Sequence, residues 1–341
     1  MMARQAFQGL TRVREKFILP DKNLLRWFPG HMAKGLDQIQ STLKNLDAII
    51  EVHDARIPFA GRNPQIRNIT KIRPHILLLT KSDLADDKHR ERILQKIKEE
   101  GIRNIFHMNC KHKYVTKYIK NTVFPSILQE IESSASYHKE GDTDYHLMIV
   151  GVPNVGKSTI LNKLRETFTN KGKGALVGAK CGVTTSVMNK VRVSNNPSVF
   201  VYDTPGILTP YIPDIEVGMR LALCGCIPYH LVGEERIVDY MLFWMNKRKH
   251  YAYMEPYNIS EPTDDVYQFL THVAKEKKMV LKVQKSKFFQ EATEEEKFRP
   301  DFHAVAGSIL RDFQNGDFGK ILLDDEALAM DSRQVETNGE L

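Results

Sequence analysis

Long apolar runs are missing from this 341-residue chain: "MRLALCGC" (219–226) is interrupted by Arg220, and "YHLMIVGV" (145–152) is only strand-sized. Crossing a bilayer as a helix takes about 18–20 apolar residues, so the pattern argues against an integral membrane protein. Cysteine is scarce too. Cys110, Cys181, Cys224 and Cys226 form neither a disulfide framework nor a zinc spacing, because the Cys224-x-Cys226 pair has no second pair to match it. Cys224 and Cys226 read as small buried residues on a helix, and a reducing compartment fits. Acidic residues are absent before Glu15, whereas Arg4, Arg12 and Arg14 precede it. Ala3, Phe7, Leu10, Val13 and Phe17 recur at helical spacing. A basic, acid-poor amphipathic start resembles a mitochondrial presequence, expected over residues 1–23, with a short surface helix as the alternative. The opposite end, "DSRQVETNGEL", is nearly devoid of apolar content, and residues 324–341 are expected to form a disordered tail.

The length suits roughly two domains. A net charge of +7 and a pI of about 9.0 favour an anionic partner without identifying one. Strand candidates lie at 46–54, 75–83, 103–110, 145–153, 189–194 and 198–206. Amphipathic segments separate the earlier ones. "DKHRERILQKIKEEG" puts Ile93, Leu94 and Ile97 on one face, with Gly101 to stop the helix. Strands alternating with helices predict an α/β fold with a mainly parallel six-stranded sheet, its last two strands joined as an antiparallel hairpin through "NNP". Segments 214–226, 230–249, 263–279 and 301–314 have helical periodicity only. The expected division is a nucleotide-binding domain over 24–212 and a small all-α domain over 213–323.

"GVPNVGKST" satisfies G-x-x-x-x-G-K-[ST] between a predicted strand and a predicted helix. Gly151 ends the strand, Gly156 lets backbone N–H groups turn inward, and Lys157 neutralises the β- and γ-phosphates. Asn154, Val155 and Thr159 complete the cradle, and the Ser158 hydroxyl is a Mg²⁺ ligand. "DTPG" follows the strand "VFVY", where Asp203 can hold Mg²⁺ through water and the Gly206 N–H can meet the γ-phosphate. The Gly- and Lys-rich stretch between them suits a switch loop, in which Thr184, or its neighbour Thr185, would cap Mg²⁺. "TKSD" (Thr80, Lys81, Ser82 and Asp83) then selects the base. A carboxylate at Asp83 accepts from guanine N1–H and its 2-amino group, a donor pair that adenine lacks. The Lys81 stem can lie along the base plane, and Asn109 with Cys110 stands where a backbone N–H could meet guanine O6.

The base-reading segment precedes the phosphate loop, the reverse of the usual order. A sheet-edge site needs its loops at the carboxyl ends of strands, not in a fixed chain order. Joining the old termini and cutting after "DTPG" gives the order found. With "WFPGHMAKG" (27–35), "DARIP" (54–58) and "HLVGEE" (230–235), residues 24–323 resemble the circularly permuted ribosome-assembly GTPases, and among them the mitochondrial members. The resemblance implies hydrolysis of GTP, Mg²⁺ dependence, and a role in maturation of the large mitochondrial ribosomal subunit, through its rRNA and proteins. It places the protein in the matrix or at the matrix face of the inner membrane, with peripheral association possible there. Ile207 stands where many GTPases carry a water-orienting Gln. The resemblance points to His31 as the replacement and to Asn154 as a potassium ligand; read from the residues alone, His31 is equally a capping or core histidine. Thr80 replaces the family's usual Asn, and Cys181 its usual Pro.

The clusters "MNKRKH" (245–250), "KEKK" (275–278) and "KVQKSK" (282–287) suit phosphate-directed rRNA contact or simply a solvated face. Two other readings compete: a nucleotide-independent RNA-binding scaffold with a vestigial GTP site, and a P-loop kinase, in which "TKSD" would have no role.

Overall fold

The computed structural model describes residues 13–19, 37, 39–62, 73–134, 144–169, 189–207, 212, 214–282, 298–326 and 328. They divide into two compact units: a sheet unit that ends at Pro228 and is rejoined at Lys320, and a helical unit from Tyr229 to Gly319 that also takes residues 13–19.

Six strands form the sheet: β1 (Ala48–Asp54), β2 (His75–Thr80), β3 (Asn104–Met108), β4 (Asp144–Val150), β5 (Asn189–Asn195) and β6 (Ser198–Asp203). Their order is β3-β2-β1-β4-β6-β5. All neighbours pair in parallel except β5 with β6, which form the expected antiparallel edge hairpin. β1 is buried along its whole length and β2 is buried from Ile76 onward, as central parallel strands covered on both faces must be. Helix α1 (Arg90–Glu99) seats Ile93 and Ile97 against Leu77, Leu79 and Ile102, and Gly101 ends it with φ +93°. Each such buried isoleucine contributes about 1.5–3 kcal/mol. Helix α2 (Phe124–Glu132) follows β3, and α3 (Lys157–Thr169) follows the phosphate loop.

The two-unit boundary differs from the expected 212/213. Helix α4 (Ile215–Leu223) belongs to the sheet unit, where Met219, Leu221, Ala222 and Leu223 are buried. The expected tail is also partly ordered. Asp324 is buried and accepts from the Phe59 and Ala60 N–H groups at 2.7 and 2.8 Å, while the Leu323 N–H donates to the Arg56 carbonyl at 2.8 Å. Leu328 is buried beside α1. Low apolar content made this segment look disordered, but among its described residues the buried Asp324 carboxylate meets two backbone donors.

In the helical unit, α5 (Glu234–Lys247), α6 (Val266–Glu276) and α7 (Phe302–Asn315) pack around Tyr240, Phe243, Phe269, Ile309 and Phe313. Asp265 and Asp301 cap α6 and α7 by accepting from first-turn N–H groups. A ribbon that periodicity did not reveal pairs β7 (Val280–Lys282) with β8 (Phe298–Pro300). Residues 13–19 also pack here. Phe17 meets Tyr240 edge-on at 5.1 Å between centroids, and Arg14 bridges Asp239 and Asp264, both at 2.8 Å. A leader removed up to residue 23 would take these contacts with it.

Candidate functional site

Four strands deliver their carboxyl ends to one edge: β1 at Asp54, β2 at Thr80, β4 at Val150 and β6 at Asp203. In open parallel sheets that edge is the ligand-binding one. The loop after β4 is shaped by three left-handed residues, with φ +150° at Gly151, +60° at Asn154 and +100° at Gly156. A Cβ on Gly151 would stand 2.3 Å from the Val52 carbonyl oxygen, so β1 leaves no room for a side chain there. Lys157 is buried at the helix start, and its Nζ donates to the Val152 carbonyl at 2.9 Å.

The segment after β6 closes on this loop. The Ser158 hydroxyl donates to Asp203 Oδ2 at 3.3 Å, and Asp203 Oδ1 is buried without a hydrogen-bond partner. Burial raises the Asp203 pKa, with the Lys157 ammonium and the Ser158 hydroxyl pulling the other way. Gly206 lies flat on Pro153, and the Ile207 N–H donates to the Gly151 carbonyl at 3.2 Å. Ile207 itself is 1% exposed, packed with Ile49, Met148 and Val150.

The Thr80-Lys81-Ser82-Asp83 segment is tied to the same loop. The Thr80 hydroxyl lies 2.6 Å from the Val155 carbonyl oxygen and 2.9 Å from that of His53, donating to one at a time. Lys81, at φ +53°, donates from Nζ to the Asn154 carbonyl at 2.9 Å and pairs with Asp54 at 3.0 Å. The Thr80 hydroxyl, at the position of the family's usual Asn, thus ties this segment to the phosphate loop. Thr80→Val keeps the volume and removes the donor, at a cost of about 1–2 kcal/mol. The expected result is about five- to thirtyfold weaker GTP binding by calorimetry; unchanged affinity would sever the hydroxyl from the site.

Asp54 and Arg56, which no sequence motif marks as nucleotide-binding, lie beneath this junction. Asp54 is fully buried, receives Arg56 Nε at 3.0 Å and Nη2 at 2.8 Å, and also holds Lys81. Burial alone would raise its pKa; Arg56 and Lys81 outweigh that and hold it well below the usual carboxylate range. The visible signal was an Asp-x-Arg directly after an apolar strand.

Ser82 takes part through its backbone N–H, 3.4 Å from the Met108 carbonyl. Asn109 uses its side-chain oxygen to accept from the Lys111 N–H at 2.8 Å. Cys110 shares this locale: burial pushes its thiol up to about 11, with Asp83 adding to the shift and Lys163 and Lys81 opposing it. Asn154 Nδ2 donates to the Cys224 carbonyl at 3.2 Å, joining the phosphate loop to the turn after α4. Cys224 and Cys226 are buried, as expected of small residues, though in that turn and not within a helix. His31, Thr184, Thr185 and Cys181 lie outside the described residues.

A phosphate loop bonded on one side to an acidic strand end and on the other to a Thr-Lys-Ser-Asp segment is the arrangement of a P-loop GTPase, here with the base-reading strand ahead of the phosphate-binding one. Residues 146–285 match the family described as 50S ribosome-binding GTPase. The chain is 41% identical to mitochondrial ribosome-associated GTPase 1 of Bos taurus, over 92% of this chain and 93% of the relative. It is 42% identical to mitochondrial GTPase 1 of Aedes aegypti, over 92% and 98% respectively. A solved structure, GNP-bound YlqF from T. maritima, shares the fold at a TM-score of 0.52 and 23% identity, covering 83% of this chain and 94% of that one. The chain belongs to the mitochondrial ribosome-associated GTPase 1 family.

Proposed function

We propose that the protein hydrolyses GTP to GDP and phosphate in mitochondria and acts as a nucleotide-controlled factor in assembly of the large mitochondrial ribosomal subunit. The observation that carries the nucleotide control is the seating of Gly206 on Pro153 with the Ile207 N–H on the Gly151 carbonyl. It puts the segment that leads out of the sheet in direct contact with the phosphate loop. The Gly206 N–H is the donor for a γ-phosphate oxygen, and Lys157 supplies the opposing charge.

The donor set fits a magnesium ion. Asp203 Oδ1 is a buried, unpartnered oxygen beside the Ser158 hydroxyl, and hard divalent cations take such oxygens. Ser158 and, through water, Asp203 would hold it, with Thr184 as the third ligand. Bound there, Mg²⁺ supplies counter-charge to the β- and γ-phosphate oxygens. Asn154 is the candidate ligand for K⁺, which would add to that counter-charge. Ile207, being buried and apolar, cannot orient the attacking water, so His31 remains the candidate for that role.

The mitochondrial and ribosomal parts of this reading rest on the names of the relatives and of the matching family. The expected site of action is the matrix or the matrix face of the inner membrane, with any membrane association peripheral. No helix among the described residues is long and apolar enough to cross a membrane. In the helical unit the basic clusters are partly spent internally: Arg248 stacks over Trp244 at 4.4 Å, and Lys277 pairs with Asp312. Lys275 and Lys278 remain exposed for rRNA phosphate.

The test is co-sedimentation of the purified protein with large mitochondrial subunits at two salt concentrations, with GDP or a non-hydrolysable GTP analogue, alongside phosphate release from GTP. The expected result is tighter binding in the GTP-like state and hydrolysis stimulated by the subunit. Binding blind to nucleotide, with no stimulation, would leave a scaffold with a vestigial GTP site.

A further inference from the structure

The stretch "KHKYVTKYIKN" (111–121) follows directly on the Asn109-Cys110 turn and was not used by the nucleotide site. Tyr114 and Tyr118 are 57% and 36% exposed, the two large hydrophobic side chains left exposed among the described residues of the sheet unit. They stand four residues apart around a helical turn, Val115–Tyr118, that runs into a π-helical turn, Ile119–Val123. Val115, Ile119 and Val123 are buried beneath them and hold the segment to the sheet unit. Such π-helical turns are frequent at functional sites.

Cations surround the rings. Lys113 Nζ lies 4.8 Å from the Tyr114 ring centroid and the His112 ring 5.6 Å from it. Lys111, Lys117 and Lys120 are exposed, and Arg90 of α1 is close enough to act on the Tyr118 hydroxyl. No Asp or Glu occurs from Lys111 to Gln129, and among the described residues no carboxylate pairs with Lys111, Lys113, Lys117 or Lys120. A shallow depression lined by Tyr114, Lys117, Tyr118, Asn121 and Thr122 runs between the rings. Exposed ring faces interleaved with unpaired cations match the alternation of base and phosphate along a single strand.

We infer that this face of the sheet unit is an RNA-stacking platform. Tyr114 and Tyr118 each take the face of an unpaired base, and the lysines neutralise the intervening phosphates. The inference deepens the ribosomal reading and rests on it for the source of the RNA, not for the chemistry.

The test uses the full-length protein and fluorescence anisotropy with a labelled single-stranded RNA of about 12 nucleotides, a blunt RNA duplex of about 16 base pairs and polyglutamate as competitor. Tyr114→Ala/Tyr118→Ala, which removes two stacks, should weaken single-strand binding by about thirtyfold or more and leave duplex binding nearly unchanged. Lys113→Gln/Lys117→Gln/Lys120→Gln should reduce the slope of log affinity against log salt by about 2. Thermal midpoint and GDP affinity, unchanged in both variants, verify folding. Single-strand binding unaffected by the tyrosine variant, equal loss on strand and duplex, or polyglutamate displacing RNA at equal charge would each overturn the platform. Co-sedimentation separates the two readings. If the parent pellets with subunits and both variants pellet equally well, the platform fails while the ribosomal role stands. If the parent does not pellet, the ribosomal role fails and anisotropy still decides the platform.

Discussion

Asp83→Asn should lower GTP affinity by at least about a hundredfold and raise affinity for xanthosine triphosphate. In the proposed role, the carboxylate would present two acceptor oxygens to the two donors on the guanine edge, N1–H and the 2-amino group. An amide replaces one acceptor with an NH₂ group, which then faces the 2-amino group donor to donor and leaves both unpaired. Xanthine carries a carbonyl at that position, so the amide and the base pair again. The segment is held in place for this discrimination: the Thr80 hydroxyl and Lys81 Nζ both reach carbonyls of the phosphate loop, at 2.6 and 2.9 Å. Competition against a fluorescent GDP by the two triphosphates measures both arms. Equal losses for GTP and xanthosine triphosphate would mean that Asp83 supports the loop and does not read the base.

Gly206→Ala should reduce hydrolysis about a hundredfold with GDP affinity close to that of the parent. A Cβ at this position would stand 2.6 Å from the backbone N, the Cα and the Cγ of Pro153. None of these can swing aside: two are backbone atoms and the third belongs to a closed ring. The Asp-Thr-Pro-Gly segment must retreat, taking with it the Ile207 N–H now 3.2 Å from the Gly151 carbonyl. A displacement near 1 Å at a transition-state contact costs on the order of a hundredfold in rate. If the Gly206 N–H meets the γ-phosphate as proposed, GDP, which has none, should bind as it does to the parent. Single-turnover phosphate release and GDP titration separate the two effects; parent-like hydrolysis would remove Gly206 from the γ-phosphate contact.

Much of this protein was determined by local sequence. The phosphate loop is legible because left-handed glycines, a lysine and a hydroxyl must follow one another where a strand becomes a helix, and that order survives permutation of the chain. The sheet was legible for a related reason: a central parallel strand is covered on both faces, so 75–80 shows as a near-continuous apolar run and 48–54 through Ala48, Ile49, Ile50 and Val52, although the buried Glu51, His53 and Asp54 interrupt its apolar pattern. Helix starts at Asp265 and Asp301 follow from side-chain capping of orphan N–H groups, again a local matter.

Only the tertiary structure decided the contacts between segments distant in the chain. Asp54 and Arg56 became a buried pair under Lys81 because β1 and β2 are neighbours. Asp324, read as part of a disordered tail, is buried because two backbone N–H groups of the loop after β1 need an acceptor there. Residues 13–19, read as part of a leader, seat Phe17 against α5. Composition records the charge of Asp324 and the spacing of Phe17, but desolvation and pairing depend on what packs beside them. That partner lies hundreds of residues away, where no local pattern can register it.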